Sequence, residues 1–374
     1  MSKNPLNRLQ QLGQSVWLDY IRRDLIESGQ LQRLIETDSL GGMTSNPTIF
    51  SSAIATGQLY DQDIRAAGLS EASAKVFERI AVEDIRRAAD VLRSVYDQTQ
   101  GRDGFVSIEC RPALAYDTQA TIEEARNLWR LCDRPNVMVK IPGTRAGLPA
   151  IESCLAEGIN INITLLFSVE RYREVMEAWL QALERRVRAG QNVDRLASVA
   201  SFFVSRVDTK IDKQLEERQK SCSGPEQQRI ESLKAQFGIA NARLAYQAFE
   251  EMRRGPRFQA LDRKGARVQR PLWASTSTKN PALPDIYYVE ALVAPDSVNT
   301  APLDTIDAYR DHGDPKIRIH DDLSGAQEAL EALAELEIDF AAATRELEQE
   351  GVQKFSDSYD ELLQTIAKKQ KQMR

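Results

Sequence analysis

Strand-like and helical segments take turns along nearly the whole 374-residue chain, and a chain so built has few ways to bury its strands. Strand-like patterns read at residues 16–21, 42–47, 105–109, 136–141, 159–167, 196–204, 270–276 and 286–293. Helical patterns fill residues 31–37, 60–98, 121–132, 147–156 and from 168 to about 190. A long helical excursion follows over about 208–254, broken near 221–225 by Ser-Cys-Ser-Gly-Pro. Ser168 is placed to cap its helix, and Thr121 with Glu124 three positions on suggests a capping box. Eight strands, each followed by helix, predict an α/β fold: a parallel sheet closed into a (β/α)8 TIM barrel. An open, doubly wound sheet is the alternative, but the chain contains no G-x-G-x-x-G turn and no P-loop. The expected organisation is one domain over 1–374, with strands at about 16–293 and a helical C-terminal extension over about 301–374. In that tail Leu330, Leu333, Leu336 and Phe340 share a face suited to packing near the barrel mouth. The Lys-rich end, closing at Arg374, reads as a solvated, frayed terminus.

One strand carries a charge it should not want. Asn136-Val137-Met138-Val139-Lys140-Ile141-Pro142-Gly143-Thr144 is apolar enough for burial on both faces, yet Lys140 sits near its end. A buried ammonium is costly unless it is paired or loses its proton. Either the amine escapes to water from the strand end, or it is a desolvated nucleophile able to form a Schiff base with a ketone.

Composition removes several classes of function. The net charge of −6 and a pI near 5.4 argue against a general nucleic-acid binder, although a local cationic pocket for an anionic small molecule needs no basic surface. The first five residues are polar, and no apolar run is long enough to span a bilayer. Cys110, Cys132, Cys154 and Cys222 form no CxxC pair, which suits a reducing cytoplasm, and Cys110 reads as a small buried apolar residue. His312 and His320, the only histidines, come after the last strand-like segment. That placement disfavours a His-rich metal site or a Ser-His-Asp triad in the body of the chain.

Strand parity then gathers a polar set. If Val137, Val139 and Ile141 face the helices, Met138 and Lys140 face the lumen. By the same rule Trp17 and Asp19, Ser107 and Glu109, and Asn162 and Thr164 point inward, while Val16, Leu18, Val106, Ile108, Ile161, Ile163 and Leu165 point outward. Asp19, Glu109, Lys140, Asn162 and Thr164 therefore converge near the strand C-termini, where barrel enzymes build active sites. Asn46-Pro47 and the run from Ser201 to Arg206 end two further strands. Each has a plainer reading. Asp19 can cap a loop, Asn46-Pro47 can make a turn, Arg206 can pair with Asp208 or Asp212, Ser201 can be structural, and Trp17 is expected to be packing.

These segments resemble the transaldolase family. Gly42-Met43-Thr44-Ser45-Asn46-Pro47-Thr48-Ile49-Phe50 is similar to the family signature, and Val137–Pro142 to its Schiff-base lysine strand. Ser107-Ile108-Glu109, the run Ile161 to Ser168 and the run Ser201 to Arg206 match in the right order, over roughly residues 16–293. Trp273-Ala274-Ser275-Thr276-Ser277-Thr278-Lys279-Asn280-Pro281 looks like the long bacterial form. The commoner form carries a phosphate-binding arginine there, whereas Lys279 is the nearest basic residue here.

The resemblance implies transfer of a dihydroxyacetone unit from a ketose phosphate (sedoheptulose 7-phosphate or fructose 6-phosphate) to an aldose phosphate (glyceraldehyde 3-phosphate or erythrose 4-phosphate). This is a step of the non-oxidative pentose phosphate pathway, with no cofactor and no metal. It assigns the Schiff base to Lys140, C4-hydroxyl proton transfer to Asp19, and carbinolamine dehydration to Glu109 through a water held with Thr164. Asn46, Asn162, Ser201, Phe203, Arg206, Ser275 and Lys279 would bind substrate. It also implies sugar-phosphate partners, no nucleic acid, no membrane, and a monomer or homodimer in the cytoplasm. Two alternatives stay open on sequence: a fructose-6-phosphate aldolase releasing free dihydroxyacetone, and a sugar-phosphate-binding barrel without catalysis.

Overall fold

The computed structural model describes residues 4–372. Eight parallel strands close in chain order into a barrel: β1 Gln14–Asp19, β2 Leu40–Thr44, β3 Phe105–Glu109, β4 Val137–Pro142, β5 Ile161–Leu166, β6 Ser198–Phe203, β7 Arg270–Ala274 and β8 Ser297–Ala301. Closure comes from β1 pairing with β8, with Trp17 opposite Thr300. Helices cover the outside, and the outward side chains Val16, Leu18, Val106, Ile108, Val137, Val139, Ile141, Ile161 and Ile163 form one core with them. Burial on both faces is why these strands read as continuous apolar runs.

The lumen is filled, not open. Trp17, Phe105, Met138, Val199, Leu272 and Val298 stack across its lower half and are all buried. Trp17 is the widest of them, as expected for a packing residue, and its indole Nε1 donates to Asp103 Oδ1 at 2.9 Å. Arg270 donates to the same oxygen at 3.0 Å, so the lower end of the barrel closes on a buried ion pair. Opposite Trp17 in β2 stands Gly42, where a Cβ would lie 2.6 Å from the indole and 2.8 Å from the Phe105 carbonyl oxygen.

Several expectations from sequence are corrected. The eighth strand is not at 286–293; that stretch contains the short helix Tyr287–Ala291, and β8 follows it at Ser297–Ala301. Tyr287, Tyr288 and Val289 are strand formers by type, but this run packs as helix, while Ser-Val-Asn-Thr-Ala hides its strand under three polar residues. Leu165 does not face outward. It takes a left-handed backbone (φ 61°) where the β5–β6 register shifts, and it joins the inner cluster while Leu166 fills the outer core. The helix expected from Thr121 begins at Thr118, capped by Asp117, whose carboxylate accepts from Ala120 N. Glu124 is instead engaged by Arg111 at 2.8 Å. Ser168 does cap its helix, accepting from Arg171 N at 3.1 Å.

The tail also differs. The helix Leu323–Glu335 lies against the helix Phe237–Arg254 on the barrel's side, and it is the following helix, Phe340–Gln372, that crosses the mouth. Its Lys-rich end is ordered helix as far as Gln372. Lys369 pairs with Asp61 at 2.7 Å, and the buried Gln370 donates to the Gly68 carbonyl at 2.7 Å. Met373 and Arg374, and Met1 to Lys3 at the other end, lie outside the described residues.

Because Gly42 clears space for the Trp17 ring, Gly42→Ala should destabilise the barrel by about 1–3 kcal/mol through overpacking. Urea unfolding of the two proteins would test this; an unchanged midpoint would show that the indole can shift without cost.

Candidate active site

At the C-terminal end of the strands the pleat brings one residue from each of three neighbours to the same height: Glu109 pairs in register with Lys140, and Lys140 with Asn162. Lys140 is 5% exposed, so its amine does not escape to water. The Nζ donates to the Ser45 carbonyl at 3.0 Å and lies 3.3 Å from Glu109 Oε2. Ser45 is itself fixed, its hydroxyl donating to the Ser107 carbonyl at 2.7 Å, so the end of β2 is tied to β3 directly beneath the amine. Burial raises the Glu109 pKa, and the Lys140 charge offsets only part of that. A carboxyl held above its usual range beside an amine is suited to moving protons.

Around this pair the side chains fall into two groups. On one side Asp19 accepts from Thr44 Oγ1 at 2.6 Å, and that hydroxyl lies 2.8 Å from Thr300 Oγ1, so three strands fix the carboxylate. On the other side Asn162 is fully buried. It donates to Ser107 Oγ at 3.0 Å and accepts from Ser201 Oγ at 2.7 Å. Asn162 therefore lies behind the cavity wall and orients Ser201, which lines it. The Thr164 hydroxyl is buried on that wall without a hydrogen-bond partner. An unsatisfied buried hydroxyl costs on the order of 1–3 kcal/mol, which a bound water or substrate oxygen would recover. Asn46 caps the helix Pro47–Ala55, its Oδ1 accepting from Ile49 N at 3.0 Å. It thus does the local work expected of Asn-Pro and still lines the cavity, with its amide nitrogen free to donate.

The cavity has a volume of about 790 Å³ and runs from Lys140 to a cationic far end. There Phe203 packs on Phe167, with ring centroids 5.1 Å apart. The Arg206 guanidinium lies 4.9 Å from the Phe203 ring centroid and 5.9 Å from that of Phe355. Arg206 pairs with neither Asp208 nor Asp212, which accept from Gly238 N and Ala235 N instead. Ser275, in a left-handed backbone (φ 57°), has its hydroxyl 2.9 Å from that of Ser205. Lys279 reaches Ser277 Oγ at 3.1 Å and lines the same end.

The family model described as Transaldolase/Fructose-6-phosphate aldolase matches residues 16–366, from β1 into the helix across the mouth. The chain belongs to the transaldolase/fructose-6-phosphate aldolase family. A protein named Transaldolase from Acidothermus cellulolyticus is 50% identical, with 98% of this chain and 96% of that one covered. One of the same name from Frankia alni is 48% identical, with 97% of each covered. Transaldolase 2 from a Nostoc species is 44% identical, with 99% of each covered.

In this member of the transaldolase family every expected site residue except Glu109 and Asn162 lines this cavity; Asn162 holds Ser201 from behind it, and Glu109, 3.3 Å from the Lys140 Nζ, lines a neighbouring cavity of about 430 Å³ with Ser45 and Asn46. Sequence reasoning missed Thr44 and Thr300, whose parity was legible once β8 was placed, and the contribution of the helix Phe340–Gln372. Leu347, Glu350, Gly351, Lys354 and Phe355 line the mouth at helical spacing, a stripe of mixed chemistry that no hydropathy pattern flags. The approach is close: a Cβ on Gly351 would lie 2.8 Å from Leu165 Cδ2. Lys210 clamps this helix through Glu346 and Glu350, each at 2.7 Å, Arg171 reaches Glu348 at 3.3 Å, and Thr48 meets Ser358 at 2.9 Å.

Asp208 anchors the helix Ser205–Gln219 that carries Arg206. It accepts from Gly238 N at 2.7 Å and from the Tyr288 hydroxyl at 2.8 Å, and burial pushes its pKa up from 3.8 to about 7. The folded state thus holds this proton more tightly than the unfolded chain. The group's contribution to stability is full below about 4 and is lost as pH rises through about 7. Asp208→Asn should remove that slope, so that between pH 5 and pH 8 the wild-type protein loses on the order of 1–3 kcal/mol more than the variant. Urea melts at the two pH values would show it; parallel pH profiles would mean the carboxylate stays ionised when folded.

Proposed function

We propose that the chain is a transaldolase, moving a dihydroxyacetone unit from a ketose phosphate to an aldose phosphate through a Schiff base on Lys140. The observation that carries this reading is the Lys140 amine. It is buried, held between the Ser45 carbonyl and Glu109, and open to a cavity of about 790 Å³. The near-half identity to proteins named Transaldolase, over nearly the whole of both chains, supports the same reaction.

In this mechanism the neutral amine attacks the C2 carbonyl of the ketose, forming a C–N bond and a carbinolamine. Glu109 supplies the proton with which the C2 hydroxyl leaves as water, relayed by a water that also satisfies the Thr164 hydroxyl. The resulting iminium draws the electron pair when the C3–C4 bond breaks. Asp19 takes the C4 hydroxyl proton, an aldose leaves, and an enamine remains on Lys140. The aldose phosphate acceptor then enters, the enamine carbon attacks its aldehyde, and Asp19 returns the proton. Hydrolysis through Glu109 frees the product. Asn46 and Ser201 hold substrate hydroxyls, and Asn162 orients Ser201. Phe203 shapes the wall, and Arg206, Ser275 and Lys279 take the phosphate.

Release of free dihydroxyacetone, as an aldolase would do, needs solvent protons to reach the enamine. The helix across the mouth and the names of the full-length relatives favour transfer. A barrel that only binds sugar phosphates leaves the placement of Lys140 against Glu109 without a purpose. We place the protein in a reducing cytoplasm, consistent with four free cysteines. Cys110 is buried, and its thiol pKa is raised by that burial.

Incubation with fructose 6-phosphate and borohydride, followed by peptide mass spectrometry, should place a three-carbon adduct on Lys140; its absence would end the Schiff-base reading. Asp19→Asn should shift the trapped mass to the uncleaved six-carbon sugar phosphate, because attack and dehydration precede the step that needs Asp19. Glu109→Gln should slow appearance of any adduct by about 100- to 10,000-fold, the usual worth of a general acid–base group. Equal trapping rates in Glu109→Gln and wild type would remove Glu109 from the mechanism.

A further inference from the structure

The far end of the cavity holds more positive charge than the strands provide. Arg206 follows β6 and Lys279 follows β7, and both are anchored on the barrel. Lys354 comes from the helix Phe340–Gln372 and lines the same cavity beside Phe355, whose ring lies under the Arg206 guanidinium. Among the described residues none of these three cations pairs with a carboxylate, whereas Lys210 nearby is taken up by Glu346 and Glu350. The crowding is felt electrostatically: the charge of Arg206, then burial, then the charge of Lys279 lowers the pKa of Lys354. Cations gathered without directly paired carboxylates raise each other's energy, and the protein keeps them together in a cavity that admits a ligand.

We propose that Lys354 is a substrate-contacting specificity residue: the helix across the mouth delivers it to the phosphate group of the incoming sugar. This rests on the transaldolase reading given above. Arg206, held against two aromatic rings, offers a planar fork in a fixed place. Lys354 is a point charge on a flexible four-carbon stem, exposed at the edge of the cavity, and such a stem can follow the phosphate. That mobility suits a site that receives phosphates on carbon chains of different length in its two half-reactions. The fixed arginine sets the direction of the phosphate and the helix lysine takes up the difference in reach. Because the same helix turn carries Gly351 against Leu165 and Phe355 against Arg206, contact with the phosphate also ties the helix down while the enamine is exposed.

The test compares phosphorylated and unphosphorylated acceptors, using fructose 6-phosphate as donor. Lys354→Met should raise KM for glyceraldehyde 3-phosphate by about 10- to 100-fold, the loss expected for one charge-assisted contact, while kcat/KM for glyceraldehyde stays within about twofold. Lys354→Arg should recover most of the affinity, and inorganic phosphate should inhibit Lys354→Met less than wild type. Borohydride trapping at saturating donor should still label Lys140 in every variant. An unchanged KM for the phosphorylated acceptor would overturn the proposal, as would equal losses for both acceptors, which would mark a purely structural role. Failure of the wild-type protein to trap any adduct would instead sink the transaldolase reading itself.

Discussion

The contact on which the rest depends is the one between the Lys140 amine, the Ser45 carbonyl and the Glu109 carboxylate. A polar nitrogen at the centre of a packed lumen has to be held by neighbours, and each neighbour has to be held in turn. Ser45 is fixed by the Ser107 carbonyl, and the Ser107 hydroxyl by Asn162. Asn162 in turn orients Ser201. Below that layer the lumen becomes apolar at Met138, Phe105 and Trp17, all buried. The barrel thus holds one buried amine in a network of fixed neighbours and opens it to a cavity at the strand ends.

Division of labour between strands and helices follows from stiffness. The side chains proposed to meet the reacting atoms sit on strands: Lys140 is in register with Glu109 and Asn162 on either side, Asp19 with Thr44 and Thr164 with Pro142. Groups that line the far end of the cavity sit just past strand ends or on helices, where Arg206, Ser275, Lys279 and Lys354 are found. Carbon–carbon bond cleavage needs sub-ångström placement, and phosphate recognition needs mainly charge. Asp208 steadies the second region, since its buried carboxyl ties the first turn of the Arg206 helix to Gly238 and Tyr288 on two other helices.

Much of this was legible in the chain itself. Seven strands announce themselves because burial on both faces demands runs such as Val-Met-Val-Lys-Ile, and a charge inside such a run stands out. Parity then locates Asp19, Glu109 and Thr164 without any knowledge of the fold's details. The eighth strand escaped because its ladder is built from Ser297, Asn299 and Thr300, and polar residues in a sheet look like loop. The turn at Leu165 escaped because nothing in a leucine signals positive φ; only the neighbouring strand and the helix above impose it. Lys354 escaped because its partners lie far back along the chain, and a lysine on a helix is ordinarily just a solvated side chain.

The helix Phe340–Gln372 has a consequence for the order of synthesis. It follows all eight strands, so a ribosome releases the complete barrel, Lys140 included, before the residues that cover its mouth. During that interval Lys140 is present but Leu347, Lys354 and Phe355 are not. The same helix also lends Leu362 and Ile366 to the outer core and Leu347, Val352 and Phe355 to the inner cluster, so packing and roofing are completed together. A chain stopped short of residue 340 would therefore still contain Lys140 but lack the helix residues that wall its cavity.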